Sequence, residues 1–342
     1  MFGSPASCLL TQADLTAITS ASLATAARGA AGYSWEAGQS KQVLYTTDDG
    51  HLHELFVAVG GKWGQADLTA LTSAPSAFRI VGYGWEAGRS KQVVYTASDS
   101  HIHELFIAVG GKWGHADLTT LTGAPSAKAS VASGYGWEAG RSKQVLYTTS
   151  DGHIHELFVA VGGKWGHADL TAITGAPLAF QSPSGYSWEA GRSKQVIYQT
   201  EDGHIHELSV AVGGKWGHAD LTTLTGAPLA QEIIDGYSWE AGRSKQVAYI
   251  ARDDHHIHEL FVAVGGGWGH ANLTALTDAP LVGGGGAFGA SGYSWEAGRS
   301  KQVVYTTSDR HLHELFVAVG GKWGHADLTA LTGAPLVIDG PA

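Results

Sequence analysis

A unit of about 50 residues occurs six times in this chain and constrains its fold more than any other feature. The string GYSWEAG and its close variants are 50, 52, 51, 51 and 56 residues apart. They begin at Gly32, Gly82, Gly134, Gly185, Gly236 and Gly292. All twelve tryptophans and seventeen of the eighteen histidines fall in the repeat, which leaves little room for an unrelated domain. A repeat of this length is typical of propeller blades.

Each unit has the residue pattern of four short strands. KQVLYTT and HELFVAV are rich in β-branched and aromatic residues, and SDG and VGG turn signals bound them. GYSWEA precedes them as a further strand, and KWGHADLTALT follows as the fourth, or opens a short helical turn capped by its Asp. The sequence therefore predicts an all-β, six-bladed β-propeller with four antiparallel strands per blade. We expect one domain, 1–342, with blades at about 32–81, 82–133, 134–184, 185–235, 236–291 and 292–342.

An extra copy of one element lies near the N-terminus. The ADLT string occurs at Ala13–Thr16, inside a segment, 1–31, that precedes the first complete unit. This copy could close the ring by adding a strand to the last blade, but residues 324–332 already carry the same element there. Seven blades would need three more strands than the first 31 residues can supply, so six blades are favoured over seven.

Composition and charge exclude several kinds of partner. The formal net charge is −10 without any basic run, which argues against nucleic acid. No apolar stretch is long enough to predict membrane insertion. Cys8 is the single cysteine, so no intrachain disulfide is expected. The N-terminus lacks the basic region of a signal peptide, which predicts a cytoplasmic protein, with any release by an unconventional route.

The loops of the repeat differ in how uniform they are. In an antiparallel blade, successive turns alternate between two faces, so the first turn, AGRS, and the third, VGGKWGH, share one face. The second turn and the link between blades share the other. The first turn reads AGRS five times and AGQS once, whereas the second turn reads DDGH, SDSH, SDGH, EDGH, DDHH and SDRH. A uniform face beside a variable one predicts a repeated binding site.

The residue types on the uniform face suit a sugar. Sugars offer C–H patches that stack on aromatic rings and hydroxyls that hydrogen-bond to guanidinium and carboxylate groups. The candidate indoles are Trp63, Trp113, Trp165, Trp216, Trp268 and Trp323. The candidate guanidinium groups are Arg89, Arg141, Arg192, Arg243 and Arg299. The candidate imidazoles are His115, His167, His218, His270 and His325. The candidate carboxylates are Glu86, Glu138, Glu189, Glu240 and Glu296.

Structural roles compete with binding roles at several of these positions. The WEAG tryptophans are expected in the core, and the KWG lysines in solvent. The WEAG glutamates could pair with the nearby arginines. Pairs such as His153 and His155 have a spacing that suits a metal, but each lacks an obvious third ligand. Ring packing is therefore favoured, and neither a metal nor a cofactor is predicted.

The first unit departs from the others at two candidate positions. Gln39 replaces the arginine and Gln65 replaces the histidine. If the pocket lies within a blade, one pocket is impaired and five remain. If it lies between blades, two pockets are impaired and four remain.

The motifs together resemble a known group of lectins. DGHIHEL followed by W, DLT, GAP and GYxWEA resembles the repeat of bacterial propeller lectins of the Photorhabdus type, which are seven-bladed and bind fucose and O-methylated sugars. Six near-identical copies are more similar to mushroom six-bladed propeller lectins of the Agrocybe lectin 2 type. The resemblance covers residues 12–342 and implies a multivalent, metal-independent lectin that binds terminal non-reducing N-acetylglucosamine on glycans or glycoproteins.

Two other function classes fit less well. Six near-identical blades offer no singular catalytic constellation and no unique pair of carboxylates, so an enzyme is not predicted. A protein-interaction propeller would favour diversity on its recognition face, whereas this face is uniform. A lectin for fucose or O-methylated glycans remains the alternative to one for N-acetylglucosamine. The sequence leaves the oligomeric state open.

Overall fold

The computed structural model describes residues 14–24, 30–128, 133–283 and 290–337. These residues form six four-stranded antiparallel sheets, here called blades 1 to 6. Blade 1 contains β1 (Ala30–Trp35), β2 (Ser40–Thr46), β3 (Leu52–Ala58) and β4 (Gly64–Asp67). Blade 2 contains β5 (Ala77–Trp85), β6 (Ser90–Ala97), β7 (Ile102–Ala108) and β8 (Gly114–Asp117). Blade 3 contains β9 (Ser133–Trp137), β10 (Ser142–Thr148), β11 (Ile154–Ala160) and β12 (Gly166–Asp169).

The other three blades repeat this order. Blade 4 contains β13 (Ser184–Trp188), β14 (Ser193–Gln199), β15 (Ile205–Ala211) and β16 (Gly217–Asp220). Blade 5 contains β17 (Ala230–Trp239), β18 (Ser244–Ala251), β19 (Ile257–Ala263) and β20 (Gly269–Asn272). Blade 6 contains β21 (Ser291–Trp295), β22 (Ser300–Thr306), β23 (Leu312–Ala318) and β24 (Gly324–Asp327). The prediction of an all-β propeller with six four-stranded blades is confirmed.

A short helix follows the fourth strand of each blade, and one more precedes blade 1. They are α1 (Leu15–Thr19), α2 (Leu68–Thr72), α3 (Leu118–Thr122), α4 (Leu170–Thr174), α5 (Leu221–Thr225), α6 (Leu273–Thr277) and α7 (Leu328–Thr332). Asp117 caps α3 by accepting a hydrogen bond from the backbone N–H of Thr120, and Asn272 caps α6 in the same way. The segment KWGHADLTALT therefore forms both the strand and the capped helical turn that its sequence allowed. No helix within the described ranges is long and apolar enough to cross a membrane.

The hydrophobic core lies between blades. At the junction of blades 2 and 3, Val94 and Leu118 pack against Val145 and Tyr147. Four further clusters of the same kind join blade 1 to 2, 3 to 4, 4 to 5 and 5 to 6. The glycine that opens units 2 to 6 permits this packing: a Cβ on Gly134 would lie 2.4 Å from Cε1 of Tyr83 in the preceding blade.

Backbone hydrogen bonds fix which loops share a face. The N–H of Val161 in the third turn of blade 3 donates to the carbonyl of Arg141 in its first turn, at 2.9 Å. On the other side, the N–H of Ala179 in the following link donates to the carbonyl of Gly152 in the second turn, also at 2.9 Å. The predicted assignment of loops to faces is confirmed. We call the face of the first and third turns the upper face.

The junction between blade 6 and blade 1 differs from the other five. The inner strand of each blade contacts the inner strand of the next from β1 through β21, but β21 makes no comparable contact with β1. Trp295 of blade 6 is 59% exposed, whereas its counterpart Trp239 in blade 5 is 8% exposed. The side of blade 6 that would meet blade 1 is therefore open to solvent.

The described part of the extra N-terminal copy lies against blade 1. The carbonyl of Ser20, which caps α1, accepts a 3.4 Å hydrogen bond from Nε2 of Gln65. Blade 6 obtains its fourth strand, β24, from its own unit. Of the ADLT copy at the N-terminus, Ala13 lies outside the described residues.

Candidate functional site

A cleft opens on the upper face between blades 2 and 3. Its volume is about 480 Å³, within the range of small-molecule sites. Blade 2 contributes the rings of Trp85 and Phe106, and blade 3 contributes the ring of Trp165 and the backbone of Gly162 and Gly163. Three aromatic rings and an exposed glycine backbone thus converge on one space.

An ion pair lies among these rings. Nζ of Lys143 in β10 donates to Oε1 of Glu104 in β7 at 2.7 Å, so the pair joins adjacent blades. Nζ also lies 5.5 Å from the ring centroid of Trp85, 5.8 Å from that of Phe106 and 5.1 Å from that of Trp165. These distances are within the range of cation–π attraction.

Burial shifts both titrating groups towards their neutral forms. Desolvation raises the pKa of Glu104, and the attraction and hydrogen bond of Lys143 oppose that rise. Desolvation likewise lowers the pKa of Lys143, and Glu104 opposes that fall. The ammonium has three N–H donors, of which one is used here, so the pair offers a cleft ligand both donors and an acceptor oxygen.

The same arrangement recurs at five junctions. Each has a lysine from the SKQV strand, a glutamate from the HEL strand of the preceding blade, and the WEAG and KWG tryptophans on either side. The ion pairs are Lys91–Glu54, Lys143–Glu104, Lys194–Glu156, Lys245–Glu207 and Lys301–Glu259. The flanking indoles are Trp35 and Trp113, Trp85 and Trp165, Trp137 and Trp216, Trp188 and Trp268, and Trp239 and Trp323.

One of the five junctions lacks the phenylalanine ring that the other four contain. Phe158 lies in the third cleft, with its ring 5.9 Å from Nζ of Lys194. Ser209 occupies the same strand position at the junction of blades 4 and 5. The cleft of that junction keeps its ion pair and two indoles but has a smaller, polar side chain in place of the phenyl ring.

The open sixth junction does not assemble the arrangement. Lys41 lies 5.4 Å from the ring of Trp63 within blade 1. Its expected partner is Glu314 of blade 6, but among the described residues these two form no ion pair. Trp295, which would complete the cleft, is exposed.

The structure separates the residues that the sequence grouped into one pocket. The five KWG tryptophans from Trp113 to Trp323 line the junction clefts, and Trp63 lies at the open junction. The WEAG tryptophans, expected in the core, are buried in blades 1 to 5 and also face the clefts. The clefts lie between blades, which is one of the two arrangements the sequence left open.

The WEAG glutamates link the first turns of adjacent blades. The carboxylate of Glu138 accepts hydrogen bonds from the backbone N–H groups of Glu86 at 2.9 Å and Ala87 at 2.6 Å. The carboxylate therefore satisfies turn amides of the preceding blade and is not paired with an arginine. Equivalent bonds are made by Glu86, Glu189, Glu240 and Glu296.

The candidate arginines lie on the upper face but outside the cleft. Arg141 is exposed and has the left-handed backbone of its turn, with φ of 50°. It does not line the cleft beside Trp165. Arg89, Arg192, Arg243 and Arg299 have the same backbone conformation and exposure.

The candidate histidines lie outside the cleft and pair with histidines at the second-turn end of the blade. Nε2 of His167 and Nδ1 of His155 share a hydrogen bond of 2.8 Å, and the two rings stack. His155 in turn stacks on Tyr147. His115, His218, His270 and His325 pair with His103, His206, His258 and His313 in the same way. The predicted ring packing of the HxH pairs is confirmed.

Sequence reasoning missed the lysine and glutamate of each cleft. Both stand at inward strand positions, in SKQV and in HEL, where an unpaired charge would be costly. The available signal in the sequence was a charged residue at an inward strand position in all six units. Its partner could not be found by local spacing, because Lys143 and Glu104 are 39 residues apart and belong to different blades.

Comparisons with known proteins identify the architecture. No protein-family model matches the chain, and no curated protein matches it in sequence. The BP39L lectin from Burkholderia pseudomallei is 14% identical with a TM-score of 0.65, over 86% of this chain and 82% of that chain. The chain shares its fold with six-bladed propellers.

Two fungal structures give the same result. AofleA from Arthrobotrys oligospora is 15% identical with a TM-score of 0.57, over 88% of this chain and 86% of that one. The lectin of Aleuria aurantia, described as a six-bladed β-propeller with a novel fucose recognition mode, is 18% identical with a TM-score of 0.55. That likeness covers 90% of this chain and 97% of the other. At these identities the comparison shows the fold alone.

Proposed function

We propose that this protein is a multivalent lectin that binds monosaccharide termini in the clefts between its blades. The observation that carries the proposal is the fivefold recurrence of one cleft, with two indoles around a lysine–glutamate pair. Proteins that share the fold, from Burkholderia pseudomallei and Aleuria aurantia, are themselves described as lectins.

The cleft chemistry matches a pyranose. The faces of Trp85 and Trp165 suit the C–H side of a sugar ring, while Lys143 and Glu104 suit its hydroxyls. Gly162 and Gly163 add backbone groups that a ligand can approach closely. No catalytic role is proposed, because each cleft holds one carboxylate and that carboxylate is paired with a lysine.

Two sugars are candidates. Terminal N-acetylglucosamine follows from the resemblance of the repeat to mushroom propeller lectins. Fucose fits about as well, because the Aleuria aurantia lectin and SapL1 have structures in complex with α-methyl fucosides. A glycan array decides between them, and binding to no glycan at all would contradict the lectin proposal.

A matched pair of tryptophan variants tests the position of the site. Trp165→Ala removes one wall of a complete cleft, so we expect the sugar stoichiometry by titration calorimetry to fall by one site per chain. Trp63→Ala changes the same motif at the open junction and should leave the stoichiometry unchanged. Equal effects of the two substitutions would contradict the junction clefts as the binding sites.

A further inference from the structure

The first unit differs from the others at a cluster of histidines on the face opposite the clefts. In units 2 to 6, Nδ1 of the second HxH histidine bonds Nε2 of the KWGH histidine, at 2.7 to 3.0 Å. In unit 1 the KWGH position holds Gln65, whose Nε2 donates to the carbonyl of Ser20 instead. Nδ1 of His53 is consequently buried without a hydrogen-bond partner, and His53 as a whole is only 7% exposed.

Two further ligand groups lie close to the imidazole of His53. His51, His53 and Asp67 each present a ligand atom within 4.8 Å of the other two. Nδ1 of His51 lies 2.8 Å from Oδ2 of Asp67, and the other oxygen, Oδ1, caps α2 through the N–H of Ala70. Asp67 is the third ligand that could not be seen in the HxH spacing, because β4 brings it beside His53 across the strand pair.

We propose that His51, His53 and Asp67 form a zinc site in the first blade. Two imidazoles and a carboxylate are ligands that Zn²⁺ prefers, with solvent as a fourth ligand. No neighbouring imidazole holds Nδ1 of His53, which leaves this ring available to the ion. The side chains of His51 and Asp67 are 36% and 31% exposed, which gives the ion a route from solvent.

The equivalent clusters of other units are less suited to a metal. His204, His206 and Asp220 in blade 4, and His311, His313 and Asp327 in blade 6, bring together the same three groups. There, however, Nδ1 of His206 and of His313 already bonds a neighbouring imidazole. A metal would have to break that hydrogen bond, so the proposal assigns one zinc ion per chain to blade 1.

The test measures zinc bound to the untagged chain of 342 residues. The protein is stripped with a chelator, dialysed against micromolar Zn²⁺ and assayed by elemental analysis. We expect one equivalent per chain, lost in His53→Ala and retained in His155→Ala. His155 is the matched control, because it has the same stacked position on Tyr147 in blade 3 but its Nδ1 is bonded to His167.

A second variant separates metal binding from folding. Asp67→Asn removes the carboxylate but keeps the helix cap, as Asn272 does in blade 5. We expect zinc to raise the melting temperature of the native chain, because an ion that binds only the folded state stabilises it. Zinc affinity should fall at least tenfold in Asp67→Asn, with folding unchanged in the absence of zinc.

Several results would overturn the proposal. The native chain could retain no zinc, His53→Ala could still retain it, or His155→Ala could lose as much zinc as His53→Ala. Binding of three equivalents, of which His53→Ala removes only one, would show that the unpartnered nitrogen does not select the site. Because the cluster lies on the face opposite the clefts, none of these results depends on sugar binding.

Discussion

At the residue scale, the buried lysine–glutamate pair is the feature that links stability to binding. Lys143 and Glu104 are 6% and 1% exposed, and each keeps the other charged in a site that burial makes unfavourable for charge. Such a pair contributes little net stability, but loss of one partner leaves the other buried and uncompensated. The same pair supplies the polar groups of the cleft.

Removal of one lysine should therefore destabilise the blade junction. Lys143→Ala leaves Glu104 buried without its cation, which costs about 3–5 kcal/mol in comparable proteins. We expect a clear fall in the urea midpoint, whereas Lys41→Ala at the open junction should change stability by less than about 0.5 kcal/mol. An equal change in the urea midpoint for both substitutions would contradict this role of the buried ion pair.

The phenylalanine ring beside the lysine should affect sugar affinity cleft by cleft. Phe158→Ser reproduces the side chain found at Ser209 and removes one stacking partner, which is worth about 0.5–1.5 kcal/mol for aromatic contacts. We expect sugar affinity at that cleft to fall by up to about tenfold. Phe316→Ser at the open junction is the control, and a comparable fall there would contradict the assignment.

At the scale of elements, each blade is predictable from its sequence to the level of strands and caps. The β-branched and aromatic residues of KQVLYTT and HELFVAV and the turns that bound them predicted two of the four strands, and the Asp of ADLT predicted the cap of the following helix. The contacts between blades were not predictable, because strand pairing is local while Lys143 and Glu104 meet across a junction. Arg141 and His167 do not line the cleft beside Trp165, because a shared face is not a shared pocket, and their role in binding stays a prediction.

The helix caps predict a defined loss of stability in acid. Burial opposes ionisation of Asp117, but hydrogen bonds from the backbone of Thr120, from His101 and from the Thr120 hydroxyl hold its pKa at about 2. A pKa below that of the unfolded chain stabilises the fold above about pH 4, and this contribution is lost as the pH falls towards 2.

Substitution of the cap tests this dependence. The difference in melting temperature between the native chain and Asp117→Asn should be present at pH 6 and disappear by pH 2. Asn272→Asp introduces the carboxylate where the chain has a neutral cap, and should add stability at pH 6 that is lost over the same interval. A difference that does not change with pH would contradict the role of the ionised cap.

At the scale of the whole molecule, the repeat produces five complete junctions and one open one. Trp239 is buried at the junction of blades 5 and 6, while Trp295, its counterpart in blade 6, is exposed. The sequence predicted six units but could not reveal which junction remains open, because the residues of unit 6 that form it are nearly identical to those of units 1 to 5.

Selective oxidation should reveal the open junction. We expect N-bromosuccinimide to modify Trp295 much faster than Trp239, as read by peptide mass spectrometry, because the indole of Trp295 faces solvent. Unfolded protein supplies the control, since both indoles should then react alike. Equal protection of the two residues in the folded chain would show that blade 6 meets blade 1 in solution.

The most direct test of the central claim is a crystal structure of the chain soaked with the monosaccharide that the glycan array selects. The account predicts sugar rings stacked on the tryptophans of the five complete junctions, with hydroxyls bonded to the lysine–glutamate pairs. Sugar bound beside the exposed arginines, or on the opposite face beside the paired histidines, would contradict it.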